Sequence, residues 1–118
     1  MKATFNSWDG KYRQPFGAIQ AGTSVKWSVA IDEEVQEVTL WLTKINEDDM
    51  AYPMTYNSET KMYETSIRIG TSGLYYYYFN IKQNNQYYFL QRARDQFGEA
   101  ELTQDSTDVR TFQLTCYD

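Results

Sequence analysis

Gly73-Leu74-Tyr75-Tyr76-Tyr77-Tyr78-Phe79-Asn80-Ile81-Lys82, followed by Asn84-Asn85, is the stretch that decides the fold of this 118-residue chain. Five consecutive aromatic residues, Tyr75 to Phe79, sit between a glycine-rich opening and a turn-forming pair. In a strand, successive side chains point to opposite faces. Tyr75, Tyr77 and Phe79 therefore share one face, and Tyr76 and Tyr78 the other. The first set is suited to a core. The second set leaves a large aromatic surface on the opposite face, and such a surface usually meets a ligand, another domain or another chain.

Working outward from this strand, the same period of two recurs. Val25, Trp27, Val29 and Ile31 alternate with polar residues and are assigned to the core. Val38, Leu40 and Leu42 alternate with Thr39, Trp41 and Thr43. Tyr63, Thr65, Ile67 and Ile69 share a face, as do Phe112, Leu114 and Cys116. Ala3 to Phe5 reads as a short edge strand. Lys11 to Gln20 holds Pro15 and Gly17 and reads as extended and irregular. Met50 to Tyr56 reads as one edge strand interrupted by Pro53. Asn84-Asn85 is a hairpin turn leading to a partner strand, Tyr87 to Leu90. Arg92 to Asp108 is polar and is read as a long loop. No stretch carries a sustained helical period. The expectation is an all-β, immunoglobulin-like antiparallel β-sandwich of about seven or eight strands, in one domain spanning residues 1–118.

Composition narrows the function. The formal net charge is −5, from 11 basic and 16 acidic residues. Nucleic acids and anionic membrane surfaces call for basic patches, so neither is an expected partner. No apolar run reaches the length of a membrane span. Met1 to Phe5 has no apolar stretch like a secretory signal, so the expected location is cytoplasmic, or secreted if a signal has been removed. Histidine is absent. That excludes a Ser-His-Asp or Cys-His device and His-ligated zinc within this chain. Cys116, the single cysteine, is read as a strand residue.

Acidic groups are abundant but unplaced. Asp32-Glu33-Glu34 and Glu47-Asp48-Asp49 fall at predicted turns, where such residues are common. Neither matches a calcium loop. The stretch after Arg92 holds Asp95, Glu99, Glu101, Asp105 and Asp108, two of which could in principle flank a glycosidic bond. No concave scaffold in the sequence positions them. Two aromatic features are sharper. Tyr75, just after Gly73-Leu74, fits the tyrosine corner of immunoglobulin-like folds, a structural role. Trp41, Tyr76 and Tyr78 fall on one outward face if their strands are neighbours, and Tyr88 on the next strand is expected to join them. Aromatic faces stack on the apolar C–H faces of sugar rings. They also form cross-strand ladders or cover domain interfaces, and parity alone leaves these alternatives open.

Three segments together resemble one family. They are Asn6-Ser7-Trp8-Asp9-Gly10-Lys11-Tyr12-Arg13-Gln14-Pro15-Phe16-Gly17-Ala18-Ile19 followed by Ala21-Gly22-Thr23, then Gly73 to Phe79, and finally Phe112-Gln113-Leu114-Thr115-Cys116-Tyr117-Asp118. In this order and spacing the chain resembles the N-terminal, early-set immunoglobulin-like β-sandwich domain of α-amylase-superfamily glycoside hydrolases. The pattern is of the neopullulanase, amylopullulanase and maltogenic amylase kind. It departs at Cys116, commonly an apolar residue such as Val in that family, and between Arg92 and Asp108. The resemblance implies a non-catalytic accessory domain, followed after Asp118 by a catalytic barrel that carries the family's carboxylates. It implies packing on that barrel, shaping of substrate access or homodimerisation of the full-length protein and, in some members, binding of α-glucans such as starch, pullulan and maltodextrins. Some relatives bind calcium here, but no ligand maps onto this chain, so no metal and no cofactor is expected. The alternative from another class is a structural or protein-interaction sandwich with no carbohydrate role.

Overall fold

A computed structural model describes residues 1–94 and 97–118. Asp95, one of the carboxylates considered above, lies outside the described residues.

The chain forms two β-sheets. The first is built on β4 (Thr23–Ile31) and β8 (Met62–Ile69), paired antiparallel with Trp27 opposite Thr65. β1 (Ala3–Thr4) and β2 (Arg13–Gln14) both pair with β4, and β7 (Thr55–Asn57) closes the other edge on β8. The second sheet is built on β9 (Gly73–Gln83), the aromatic strand, flanked on one side by β5 (Glu37–Lys44) and then β6 (Asp49–Pro53). The other flank of β9 is shared. β12 (Phe112–Tyr117) pairs with residues 73–77, while β10 (Gln86–Arg92) pairs with residues 79–83 and carries β11 (Ala100–Thr103). β3 (Ile19–Gln20) completes the sheet beside β12.

The order β1-β4-β8-β7 against β6-β5-β9-β12 is the ABED and C′CFG arrangement of an immunoglobulin-like sandwich. The β10–β11 hairpin is an insertion between the last two of these strands. Tyr75 forms the expected corner: its hydroxyl donates to the Thr71 carbonyl at 2.7 Å. Asn84 and Asn85 both take positive φ, 52° and 60°, as a type I′ hairpin turn requires.

The core follows the period of two. Val25, Trp27 and Val29 from the first sheet meet Val38, Leu40, Tyr77, Phe79 and Ile81 from the second, all buried. Phe5, Tyr77, Phe79 and Phe112 form one aromatic cluster; the Phe5 ring lies 4.7 Å from Phe79 and 5.0 Å from Phe112. Phe5 enters on the same side as Ala3, two residues earlier, which also packs against the core.

Four expectations need correction. The stretch 92–108 is not loop throughout, because β11 pairs with β10 from Phe89↔Thr103 to Arg92↔Ala100. Its two inward residues, Ala100 and Leu102, pack against the core, too few to register as an alternating pattern. Residues 50–56 form two strands rather than one: β6 pairs in the second sheet, the chain crosses at buried Met54, and β7 pairs in the first. The β3–β12 pair is parallel, so the sandwich is not wholly antiparallel. Short pairings and the inserted hairpin raise the strand number to twelve among the described residues.

Candidate functional site

Hydrogen-bond register decides which aromatics share a face. Trp41 on β5 lies directly opposite Tyr78 on β9, and Tyr76 lies opposite Thr43. Because Leu40, Leu42, Tyr77 and Phe79 are buried, Trp41, Tyr76 and Tyr78 all point away from the core. Each is half-buried, with part of its ring in solvent. This is the arrangement expected from parity.

Tyr88 does not join them. It pairs with Ile81, whose side chain is buried, and packs against the core. The two-residue turn at Asn84-Asn85 forces Gln83 opposite Gln86, which fixes every later pair. Phe89, opposite Asn80, and Tyr87, opposite Lys82, take the outward positions instead. Phe89 sits 6.0 Å from the Tyr78 ring, tilted by 55°. Tyr87 is exposed, and the Lys82 ammonium lies 5.7 Å from its ring centre. The hairpin signal that was present in the sequence could have given this parity had it been carried across the turn.

The outward face is concave beside Trp41. A depression of ≈ 620 Å³ is lined there by Thr39, Trp41, Pro53, Asn80 and Tyr87 among others, with Glu37 at its margin. It lies within the volume range of small-molecule sites, about 300–1,000 Å³. Register places Trp41 and Tyr87 four residues apart along the strands and two strands apart across them, roughly 16 Å between Cα positions. Between them stand a hydroxyl and an amide. The Asn80 amide donates to the Tyr88 carbonyl at 3.2 Å, which holds its plane. Burial, and then the nearby Asp49 carboxylate, pushes the Tyr78 phenol above its ordinary pKa. Tyr78 is therefore neutral at physiological pH and can offer its O–H.

Six of the carboxylates weighed from sequence are occupied locally. Asp32 accepts the Lys2 amide N–H at 2.6 Å, and Glu33 pairs with the N-terminal ammonium. Glu47 faces Lys44 at 3.5 Å, Asp49 accepts from Thr43, and Glu101 pairs with Arg110. Asp105 accepts from the Thr107 amide and hydroxyl. Among the described residues, no three His, Cys, Asp or Glu side chains are grouped so as to hold a metal ion.

No protein-family model and no curated protein sequence matches the chain. Among solved structures, it is similar to a cycloalternan-degrading enzyme from Trueperella pyogenes, with a TM-score of 0.58 and 12% identity. That match covers 95% of this chain and only 14% of the enzyme, so the chain corresponds in fold to a small part of a much longer protein. A second similar structure is a family 56 carbohydrate-binding module, a β-1,3-glucan binding domain. It shares 17% identity over 79% of this chain and 87% of that one, at a TM-score of 0.47.

Proposed function

We propose that this chain is a non-catalytic accessory domain of a glycoside hydrolase of the α-amylase type, and that it holds α-glucan on the outward face of its second sheet. The observation that carries the reading is the direct opposition of Trp41 and Tyr78 beside a concave depression whose far wall is Tyr87. The sequence resemblance and the fold of the Trueperella enzyme's matching part support the same reading.

The chemistry suits a sugar. A pyranose presents an apolar C–H face and a rim of hydroxyls. Trp41 offers a flat apolar surface for the first. Thr39, Asn80 and Glu37 offer donors and acceptors for the second. The spacing of roughly 16 Å between the two aromatic walls suits several linked rings better than one.

The test is calorimetric titration of the 118-residue chain with maltotriose, maltohexaose and pullulan. Affinity is expected to rise with oligosaccharide length, and Trp41→Ala should weaken it by about tenfold. A chain that binds none of these at about 10 mM, well above a millimolar Kd, would refute the glucan face. Such a result would favour the second use of an outward aromatic face, docking against another domain.

A further inference from the structure

A second aromatic platform borders a depression that shares no lining residue with the one beside Trp41, and residues far apart in the chain assemble it. Trp8 and Phe97 stack with ring centres 5.4 Å apart and an interplanar angle of 27°. They are among the most exposed large side chains, 61% and 78% accessible. Two stacked rings left in water normally collapse onto a core unless the backbone forbids it.

Here backbone hydrogen bonds hold Trp8 and Gly98, the residue next to Phe97. The Trp8 amide donates to Asn6 Oδ1 at 2.9 Å, and the Ser7 amide donates to the Gly98 carbonyl at 2.8 Å. Asn6 bridges to Glu99. Gly98 takes φ +76°, and a Cβ there would come within 2.5 Å of Asn6 Oδ1 and 2.9 Å of Trp8 Cγ. The indole is thus seated on a glycine that no larger residue could replace without displacing it. Beside the pair is a depression of ≈ 500 Å³, floored by Ala93 and Phe112 and rimmed by Ser7, Arg92, Arg94 and Gln113.

We infer that this platform is a separate binding site for a pyranose ring of an α-glucan, independent of the Trp41 face; the choice of α-glucan rests on the function proposed above. The mixture of surfaces selects the class. A flat aromatic wall takes the C–H face of a sugar, while guanidinium and amide groups, planar and fork-shaped, donate to adjacent ring hydroxyls. A purely apolar segment would leave those rim groups dry and unpaired. A nucleic acid would also stack, but the chain's net charge of −5 opposes a polyanion. Two sites on one small domain would let a single glucan chain, or two neighbouring chains, gain avidity without new contacts.

The chain's three tryptophans give the test directly. Trp8 reports this platform, Trp41 reports the sheet face, and Trp27, wholly buried, serves as the internal control. The three indole N–H signals would be followed by ¹H–¹⁵N NMR during titration of the full 118-residue chain with maltotriose, up to about 10 mM. The expected result is a saturable shift of the Trp8 signal that persists in Trp41→Ala. Phe97→Ala, an exposed change that leaves the core intact, should weaken that curve by about three- to tenfold. A Trp8 signal that stays fixed while Trp41 moves would overturn the second site and leave the proposed function standing. A Trp8 shift without a Trp41 shift would do the reverse. If neither signal moves, both are refuted, and a Trp8 curve unchanged by Phe97→Ala overturns the paired platform.

Discussion

Glu64 shows how a single side chain can hold the first sheet together. Burial alone would push its carboxyl upward. Hydrogen bonds from the Asn57 amide at 3.0 Å, the Lys26 ammonium at 3.2 Å and the Thr60 hydroxyl at 3.0 Å outweigh that and bring it below the usual glutamate range. These partners come from β7, β4 and the turn before β8, so one carboxylate ties three segments. A depressed carboxyl stabilises the fold fully above the unfolded-state value, about 4.3. That contribution drains as pH falls through the lower folded value. Glu64→Gln should therefore be less stable than the parent at neutral pH, with the gap closing in acid. Urea midpoints measured from pH 7 to about pH 3 would check this, given the reference pKa; a gap independent of pH would show that the loss is not electrostatic.

Within β9, the period of two delivered both of its sides. Tyr77 and Phe79 are core, Tyr75 is core and corner, and Tyr76 and Tyr78 face out opposite Thr43 and Trp41. The next strand is where parity was lost, at Tyr88. Asn84 and Asn85 set that register by adopting the left-handed conformation, which asparagine tolerates and β-branched residues do not. Asn84→Val should cost about 1–2 kcal/mol, the usual penalty for a left-handed L-residue. Chemical denaturation of that variant measures it. The outward position of Phe89 and Tyr87 depends on this turn, so the same variant should also weaken any ligand bound between Trp41 and Tyr87.

At the scale of the whole molecule, the Cα radius of gyration is 13.5 Å. A compact domain of this length is expected at about 2.2·N^0.38 Å, which gives the same value. Among the described residues, the two sheets share one core cluster running from Phe5 to Cys116. Urea unfolding followed by tryptophan fluorescence and by far-UV circular dichroism should give coincident, single transitions. A separate early transition by either probe would mean that the β10–β11 insertion melts independently.

The sequence by itself determined what depends on local alternation and turn chemistry. Those features are the strand faces, the hairpin at Asn84-Asn85, the corner at Tyr75 and the parity that sets Trp41 apart from Leu40 and Leu42, and Tyr76 and Tyr78 apart from Tyr75, Tyr77 and Phe79. Each follows from neighbours a few residues apart, because a pleated strand repeats every two residues and a two-residue turn needs positive φ. The tertiary structure alone decided which strands lie side by side and what the loops bring together. It packed Leu102 against the core from a polar stretch, split residues 50–56 between two sheets, and formed the depression between Trp41 and Tyr87. It also set Trp8 on Phe97, beside a Ser7–Gly98 contact that spans 91 positions of sequence. No periodicity within one segment encodes such a meeting. It arises only when the β10–β11 insertion folds back over the N-terminal loop and a glycine leaves room for the indole.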